Sequence, residues 1–417
     1  MYQLCSMILE ENLLKGNGIS NRVLETIREY DLQGIHRTGT QVDDENASWL
    51  TEKIDGFGLK ASGDPFEFNR LNIQEVGLEV EGLNIRGIPL FDCTYTDSVG
   101  ILGTAGEIGS NADIGVAAVT NSHSVSPDYE LNVPKLNVKD LDLQRESETH
   151  KAIVVVSDLG FLSDEPALLN APSFLHPFGP PVVQISIKDW FRIKDSFEAG
   201  RTFRIFANCD HIESKARNVS VTIQGTERYL PPLIVMTPRS GWWACTSERG
   251  GGVAGWLEIV RAINRITPKR DVVFTANTGH ELGHIGLQQF LKNNPKLTEE
   301  SAIWIHLGAN FAAKSPDKAI LQYSDHELKG LVNSYLIGTT LQGTKEIPIG
   351  QRPGGEVESV YDFHGRYISL VGSNKLFHHP LDRWPLSVEI EKVVQWIQVL
   401  VNISLDLSQH ETLNSRR

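Results

Sequence analysis

Apolar residues fall at helical spacing over residues 8–31, where Ile8, Leu13, Val23, Leu24 and Ile27 are separated by polar positions. A turn-rich break follows at Gly34 to Thr40. The pattern then predicts a second helix over Asp43 to Ile54, with Trp49 and Leu50 inward and Gly56 and Gly58 at its end. Short alternating segments from Phe66 to Phe91 predict strands. Between about Gly82 and Ala207, Gly, Ser, Asn and Pro become frequent. Short apolar runs such as Ala152 to Val156 and Val182 to Ile187 lie between turn signals, which predicts a β-rich region. Within it, Leu131 to Arg145 interleaves Asp, Asn and Lys and reads as a surface excursion.

Beyond Asn218 the pattern becomes strands alternating with helices. Val219 to Ile223 and Leu233 to Met236 predict strands, and Val253 to Ile266 an amphipathic helix carrying Trp256, Leu257, Val260 and Ile263. Val272 to Ala276 is a β-branched run that Thr278 and Gly279 end. A helical pattern resumes with Leu282, Ile285, Leu287 and Phe290. Ala302 to Leu307 and Tyr367 to Val371 predict further strands, and Leu386 to Ile403 a closing helix. This alternation implies an α/β sandwich, in which ligands bind where strands end and helices begin. His280 and Glu281 stand at such a junction.

Composition narrows the classes. At 417 residues the chain is long for one core, which predicts two domains or one with a large insertion. A net charge of −13 with no Lys/Arg-rich run argues against nucleic acid and against anionic membrane surfaces. Cys5, Cys93, Cys209 and Cys245 are far apart and form no C-x-x-C, as in a reducing compartment. The start has no basic region followed by a long apolar run, so neither a signal peptide nor a membrane span is expected. A soluble cytoplasmic protein is the expectation, with a small-molecule or peptide-like substrate and a homo-oligomer allowed.

His280-Glu281-Leu282-Gly283-His284 also spells the H-E-x-x-H zinc motif. On a helix the two His would share a face, with Glu281 beside them as base.

The order of motifs resembles the zinc-dependent aminopeptidase family, which also holds glutamate carboxypeptidase II and glutaminyl cyclase. The resemblance covers nearly the whole chain. Arg37-Thr-Gly-Thr40 and Trp49-Leu50 look like the family's first helices, and Arg217 to Thr226 like the strand leading into its catalytic core. It implies a three-layer αβα sandwich of the zinc-exopeptidase type, over 1–81 and 208–417, with an inserted protease-associated-like domain over 82–207. In that frame Gly279-His280-Glu281 takes the Gly-Glu-Glu place. Phe377-His378-His379-Pro380 takes the place of the late His, and Glu248 that of the bridging Asp. The family's His-x-Asp is replaced by Thr237-Pro238-Arg239. Its later Asp is absent, with His306 the nearest candidate. The resemblance therefore implies a single metal, Zn²⁺ or another divalent ion, held by Glu248, Glu281 and His378.

Each residue has a plainer reading. Glu281 could simply complement a helix dipole. His280 could be an acid/base group in place of the family's Glu, a fourth ligand, or a junction His bonded to backbone. His284 reads as a packed helix residue, and His379, beside His378 in an extended segment, as exposed. Glu248 and Arg249 could form a surface ion pair. The glycines after them could instead let helix amides hold an anionic ligand group, with Arg239 as its partner. Trp242 and Trp243 could wall a pocket or pack the core; His306 and Asn310 would point at the same cleft. Cys245 reads as an inert thiol. The function these residues imply is hydrolysis of an amide or related acyl bond, with His280, and behind it His306, as proton-transfer candidates. Arg239, Trp243, Arg249 and Asn310 would meet substrate. A mononuclear lyase, isomerase or cyclase, or a non-catalytic binding protein, are the other readings.

Overall fold

The computed structural model describes residues 18–120, 130–315 and 319–410. Cys5, Ile8 and Leu13 lie outside them. The chain opens with α1 (Gly18–Gln33) and α2 (Gln41–Asp55), then β1 (Ser62–Val80), β2 (Leu83–Arg86) and β3 (Ile88–Pro89). Next come β4 (Ile101–Glu107), β5 (Ile114–Thr120), β6 (Lys135–Leu136), α3 (Val138–Glu146), β7 (Ala152–Asp158), β8 (Val182–Ile185) and α4 (Ile187–Glu198). The strand β9 (Thr202–Ile223) leads into β10 (Leu233–Pro238), α5 (Thr246–Ile263) and β11 (Val272–Asn277). A 3₁₀ turn over His280–Leu282 precedes α6 (Ile285–Asn293), α7 (Leu297–Glu300), β12 (Ile303–Leu307), β13 (Ile320–Tyr323) and α8 (His326–Leu336). The last elements are β14 (Lys345–Glu346), α9 (Val357–Asp362), β15 (Tyr367–Val371) and α10 (Ile390–Gln409).

The core sheet runs β14-β13-β15-β12-β10-β11-β9. Its centre is parallel: β10 pairs β11 and β12, and β12 pairs β15. Such strands are buried on both faces, and Leu233, Ile234, Val235 and Met236 are all fully buried, which is why β10 reads as a continuous apolar run. Helices α1, α2, α5, α8 and α10 pack one face through Val23, Trp256, Val260, Val393 and Ile397. Leu287 and Phe290 of α6 and Val357 and Val360 of α9 cover the other, against Ile234, Met236 and Trp304. This is the expected three-layer sandwich with a β-rich insertion.

The insertion extends the same sheet. The segment from Phe66 that predicted short strands is mainly one strand, β1, paired antiparallel with β9 from Ser62↔Ser220 to Glu79↔Arg204. Alternation persists through it because one face stays wet along most of its length. From β9 the order continues β4-β5-β7-β8-β3, around a second core of Val116, Val154, Ile185 and Trp190. The expected boundary after residue 207 falls inside β9, and that after residue 81 at the turn between β1 and β2.

Three local expectations are corrected. Leu131 to Arg145 is no mere excursion: it enters α3, with Leu131, Leu141 and Arg145 buried and Arg145 paired with Asp92 at 2.8 Å. The helix expected from Val253 begins at Thr246, so Gly250, Gly251 and Gly252 lie inside it. There they permit close packing: a Cβ on Gly252 would lie 2.5 Å from Thr237 Oγ1, and one on Gly251 2.6 Å from Ala312 Cβ. Third, His280 and His284 do not share a helix. Gly283 and His284 both have positive φ, 75° and 59°, so the 3₁₀ turn ends before α6 begins.

Candidate functional site

The carboxyl ends of β10, β11, β12 and β15 bring Ser240, His280, Glu281, His306 and His378 to one edge of the sheet, where α5 begins. Two buried pairs form there. His378 Nε2 lies 3.4 Å from Glu248 Oε1, and His280 Nδ1 lies 3.5 Å from Glu356 Oε1. The His280 and His284 rings are tilted at 4.6 Å, and His284 Nδ1 is 3.5 Å from Glu358 Oε1. A Cβ on Gly355 would lie 3.2 Å from His306 Cε1, which places His306 beside the Glu356 turn. Sequence reasoning missed Glu356. It sits in a polar, glycine-rich stretch with no apolar periodicity around it.

Hydrogen bonds fix two tautomers. His378 Nδ1 is 2.7 Å from the Leu168 carbonyl, which can only accept, so the proton sits on Nδ1 and Nε2 is a bare acceptor in the neutral ring. Ser369 Oγ donates to Gln322 Oε1 at 2.9 Å, so it accepts from His306 Nδ1 at 2.9 Å, and His306 Nε2 is bare as well. His378 Nε2, His306 Nε2, His280 Nδ1, Glu356 Oε1 and both Glu248 oxygens are buried without a hydrogen-bond partner. Buried orphans of this kind call for an explanation, and a bound ion or water or a catalytic role supplies one.

Burial sets the charge states. It keeps His280 well below the usual imidazole range, with the Arg249 charge adding to the effect. It takes His306 to about 3 and His284 to about 4. Burial pushes the Glu356 carboxyl up to about 7, against the Asn277 hydrogen bond and the Arg249 charge. Burial would raise Glu248 too, but Arg249 and His378 outweigh it and bring that carboxyl down to about 2. Side by side, then, stand an ionised carboxylate, a carboxyl that titrates near neutrality and neutral imidazoles. That separation is what acid/base work uses.

Other elements hold the cluster in place. The insertion reaches over it: Leu168 N donates to the His378 carbonyl at 3.1 Å, and Ala171 N to the Glu281 carbonyl at 2.8 Å. The amides at the start of α5 do hold an anion, but it is the protein's own. Asp382 accepts from Ser247 N at 2.9 Å, Ser247 Oγ at 2.6 Å and Glu248 N at 3.1 Å.

The remaining candidates fall out differently. Arg239 is fully buried in the core, paired with Asp43 at 2.7 Å and bonded to Asn46 and the Arg217 carbonyl, so it cannot meet a substrate anion. Glu248 and Arg249 are not a surface pair; both are buried. Asn310, at φ 69°, donates its amide N–H to the Glu248 carbonyl at 3.0 Å and accepts from Asn374 at 3.2 Å. Trp242 packs against Phe91 at 4.5 Å. Trp243 is half-buried and lines a groove of about 1190 Å³ with Arg37, Arg70 and Ile73. His379, expected exposed, is buried between Phe161 and Ser163, its Nε2 2.8 Å from Ser163 Oγ. Cys245 is buried, and burial raises its thiol well above the usual range.

The fold has solved counterparts. A zinc aminopeptidase from Bacillus subtilis matches with a TM-score of 0.73 at 13% identity, over 95% of this chain and 98% of that one. A peptidase M28 precursor from Shewanella amazonensis SB2B matches at 0.74 and 13%, over 100% and 98%. An aminopeptidase from Aneurinibacillus sp. strain AM-1 matches at 0.68 and 13%, over 95% and 96%. The fold is that of the zinc aminopeptidases. No protein-family model matches the sequence, and no curated protein matches it.

A zinc centre can be tested against this chain's own residues. Of the expected ligands, Glu248 and His378 meet. Glu281 does not join them: Thr38 Oγ1 donates to one of its oxygens at 2.7 Å and Ser240 Oγ to the other at 2.7 Å. Among the described residues no group of three or more His, Cys, Asp or Glu is placed to hold a metal ion. The Arg249 guanidinium, moreover, lies 2.8 Å from Glu248 Oε1. A dication about 4 Å from that guanidinium would meet a repulsion of roughly 8 kcal/mol at an effective dielectric of about 20. These residues, as arranged, do not fit a zinc centre.

Proposed function

We propose that the chain hydrolyses an amide or related acyl bond of a small or peptide-like substrate, with Glu356 and His280 moving the proton. The observation that carries this is the buried Glu356–His280 pair, 3.5 Å apart, neither facing atom bonded elsewhere, with the carboxyl raised to about 7. A carboxyl poised near neutrality can take a proton and return it within one turnover. In this scheme the Glu356 carboxylate takes a proton from water as the oxygen bonds to the acyl carbon. The acyl–nitrogen bond then breaks, and the proton passes by way of His280 to the leaving nitrogen. Burial keeps His280 neutral at rest, so it relays the proton instead of storing it. The hydrolytic class is supported by the fold shared with aminopeptidases. The single zinc implied by the resemblance is left out, because Glu281 is bonded to hydroxyls and a guanidinium stands beside Glu248.

The test is turnover on a panel of aminoacyl and acyl amides. Glu356→Gln and His280→Gln should each keep the fold and lower kcat on the order of 10²–10⁴-fold. A panel with no turnover by the native protein would favour the second reading, a non-catalytic binding protein. The burial of the cluster, with His280 only 7% exposed, speaks for that one. We read residues 82–207 as a protease-associated-like cover for the site. We also place the protein in the cytoplasm, as the free thiols Cys93, Cys209 and Cys245 suggest. No helix among the described residues is long and apolar enough to cross a membrane.

A further inference from the structure

Arg249 is fully buried in the first turn of α5. Its Nε donates to the Ser240 carbonyl at 2.8 Å, which fixes the plane of the guanidinium. Nη2 lies 2.8 Å from Glu248 Oε1 without hydrogen-bond alignment, and neither Nη1 nor Nη2 has a hydrogen-bond partner. Across from these donors are acceptors in the same condition. Both Glu248 oxygens and His378 Nε2 lack partners, while the Leu168 carbonyl holds the other ring nitrogen of His378. A carboxylate and an imidazole nitrogen 3.4 Å apart are two of the donors a metal site would use. The cation actually beside them is a guanidinium.

We propose that Arg249 is the resident cation of this site, standing where a metal would, and that its free Nη atoms donate to the carbonyl oxygen of the bound substrate. The reasoning is electrostatic. A buried carboxylate needs a cation, and a planar guanidinium can serve Glu248 while aiming further N–H groups elsewhere. The charge is built into the chain, so the site needs no metal supply. A donor already in place can face a carbonyl oxygen that gains charge during attack. The part concerning the substrate carbonyl rests on the hydrolase reading; the part concerning the metal does not.

The experiment separates them. The full chain is incubated with Zn²⁺, desalted and assayed for bound metal, and Co²⁺ binding is followed by its visible absorption. Native protein should retain no stoichiometric metal, and Arg249→Lys should behave the same. Arg249→Ala, with the charge gone and the acceptors freed, should bind Co²⁺ at least about tenfold more tightly, and His378→Ala added to it should abolish the gain. About one zinc per native chain that survives desalting and is lost in His378→Ala would overturn the proposal, with no variant at Arg249 required. A folded Arg249→Ala protein that gains no metal affinity would overturn it too. Should the hydrolase reading hold, native turnover survives chelation and Arg249→Ala lowers kcat more than it changes KM. Chelation that abolishes turnover counts against the proposal. The absence of turnover on every substrate counts against the hydrolase reading alone, since metal retention is measured without substrate.

Discussion

Glu356 Oε1 stands 3.5 Å from His280 Nδ1, and Asn277 Nδ2 donates to the other Glu356 oxygen at 2.9 Å. One carboxyl oxygen is thus anchored and one is free, inside a site that burial has made hostile to charge. This relationship makes a prediction about stability. Burial raises the folded Glu356 carboxyl from 4.5 to about 7. Between those values the folded state binds the proton and the unfolded state does not, so stability falls as pH rises through that window. The loss levels off above it, at roughly 3 kcal/mol. Glu356→Gln, which cannot ionise, should remove the effect. Its Tm relative to native protein should therefore be higher at pH 8 than at pH 5. An equal offset at both pH values would remove the raised carboxyl from the argument.

Asp382 makes a different claim, about a helix start. It accepts from Ser247 and Glu248 at the start of α5, the helix that carries Glu248 and Arg249. Asp382→Ala leaves those buried donors without an acceptor and should cost on the order of 2 kcal/mol in urea unfolding. Asp382→Asn, which keeps an acceptor oxygen, should cost less.

Arg239 is predicted to act through the core. Its pair with Asp43 is buried on both sides, at 0% and 1% exposure. Arg239→Ala strands a buried carboxylate and should destabilise by about 3–5 kcal/mol. A stable Arg239→Ala protein whose only change is a raised KM would restore the substrate-anion role that the sequence suggested.

What could be read from the sequence follows from where the information is local. The parallel strands of the core announce themselves because burial on both faces leaves an unbroken apolar run, as in Leu233 to Met236. The junction of His280 and Glu281 was legible because a β-branched run ends at a glycine. Glu356 and Asp382 were not, since each owes its role to partners far along the chain: His280 lies on another turn, and Ser247 on another helix. The partnerships of Glu281 with Thr38 and of Arg239 with Asp43 are equally non-local. A motif shows that a carboxylate or guanidinium is present; it does not show whether a hydroxyl or a counter-ion has already claimed it. The start of α5 was misplaced for a related reason. Glycine disfavours helix on its own, and only contact with the sheet reveals why it is tolerated there.

The glycines of α5 give a paired test. Gly250 and Gly252 lie in one helix two residues apart, and helix propensity alone predicts that Ala at either would stabilise by up to about 1 kcal/mol. Packing separates them. A Cβ at Gly250 would meet Ile27 Cγ2 at 3.4 Å, an ordinary contact. At Gly252 it would meet Thr237 Oγ1 at 2.5 Å and the Leu307 carbonyl at 3.2 Å, and the Thr237 hydroxyl already donates to that carbonyl at 2.9 Å. Gly250→Ala should therefore be neutral or mildly stabilising. Gly252→Ala should push α5 off β10 and cost about 1–3 kcal/mol, displacing Glu248 and Arg249 with the helix. Chemical denaturation of the two variants reads the sign of each. Equal tolerance at both positions would mean that α5 does not lie this close to the sheet, and that the Glu248–Arg249 pair is less firmly placed.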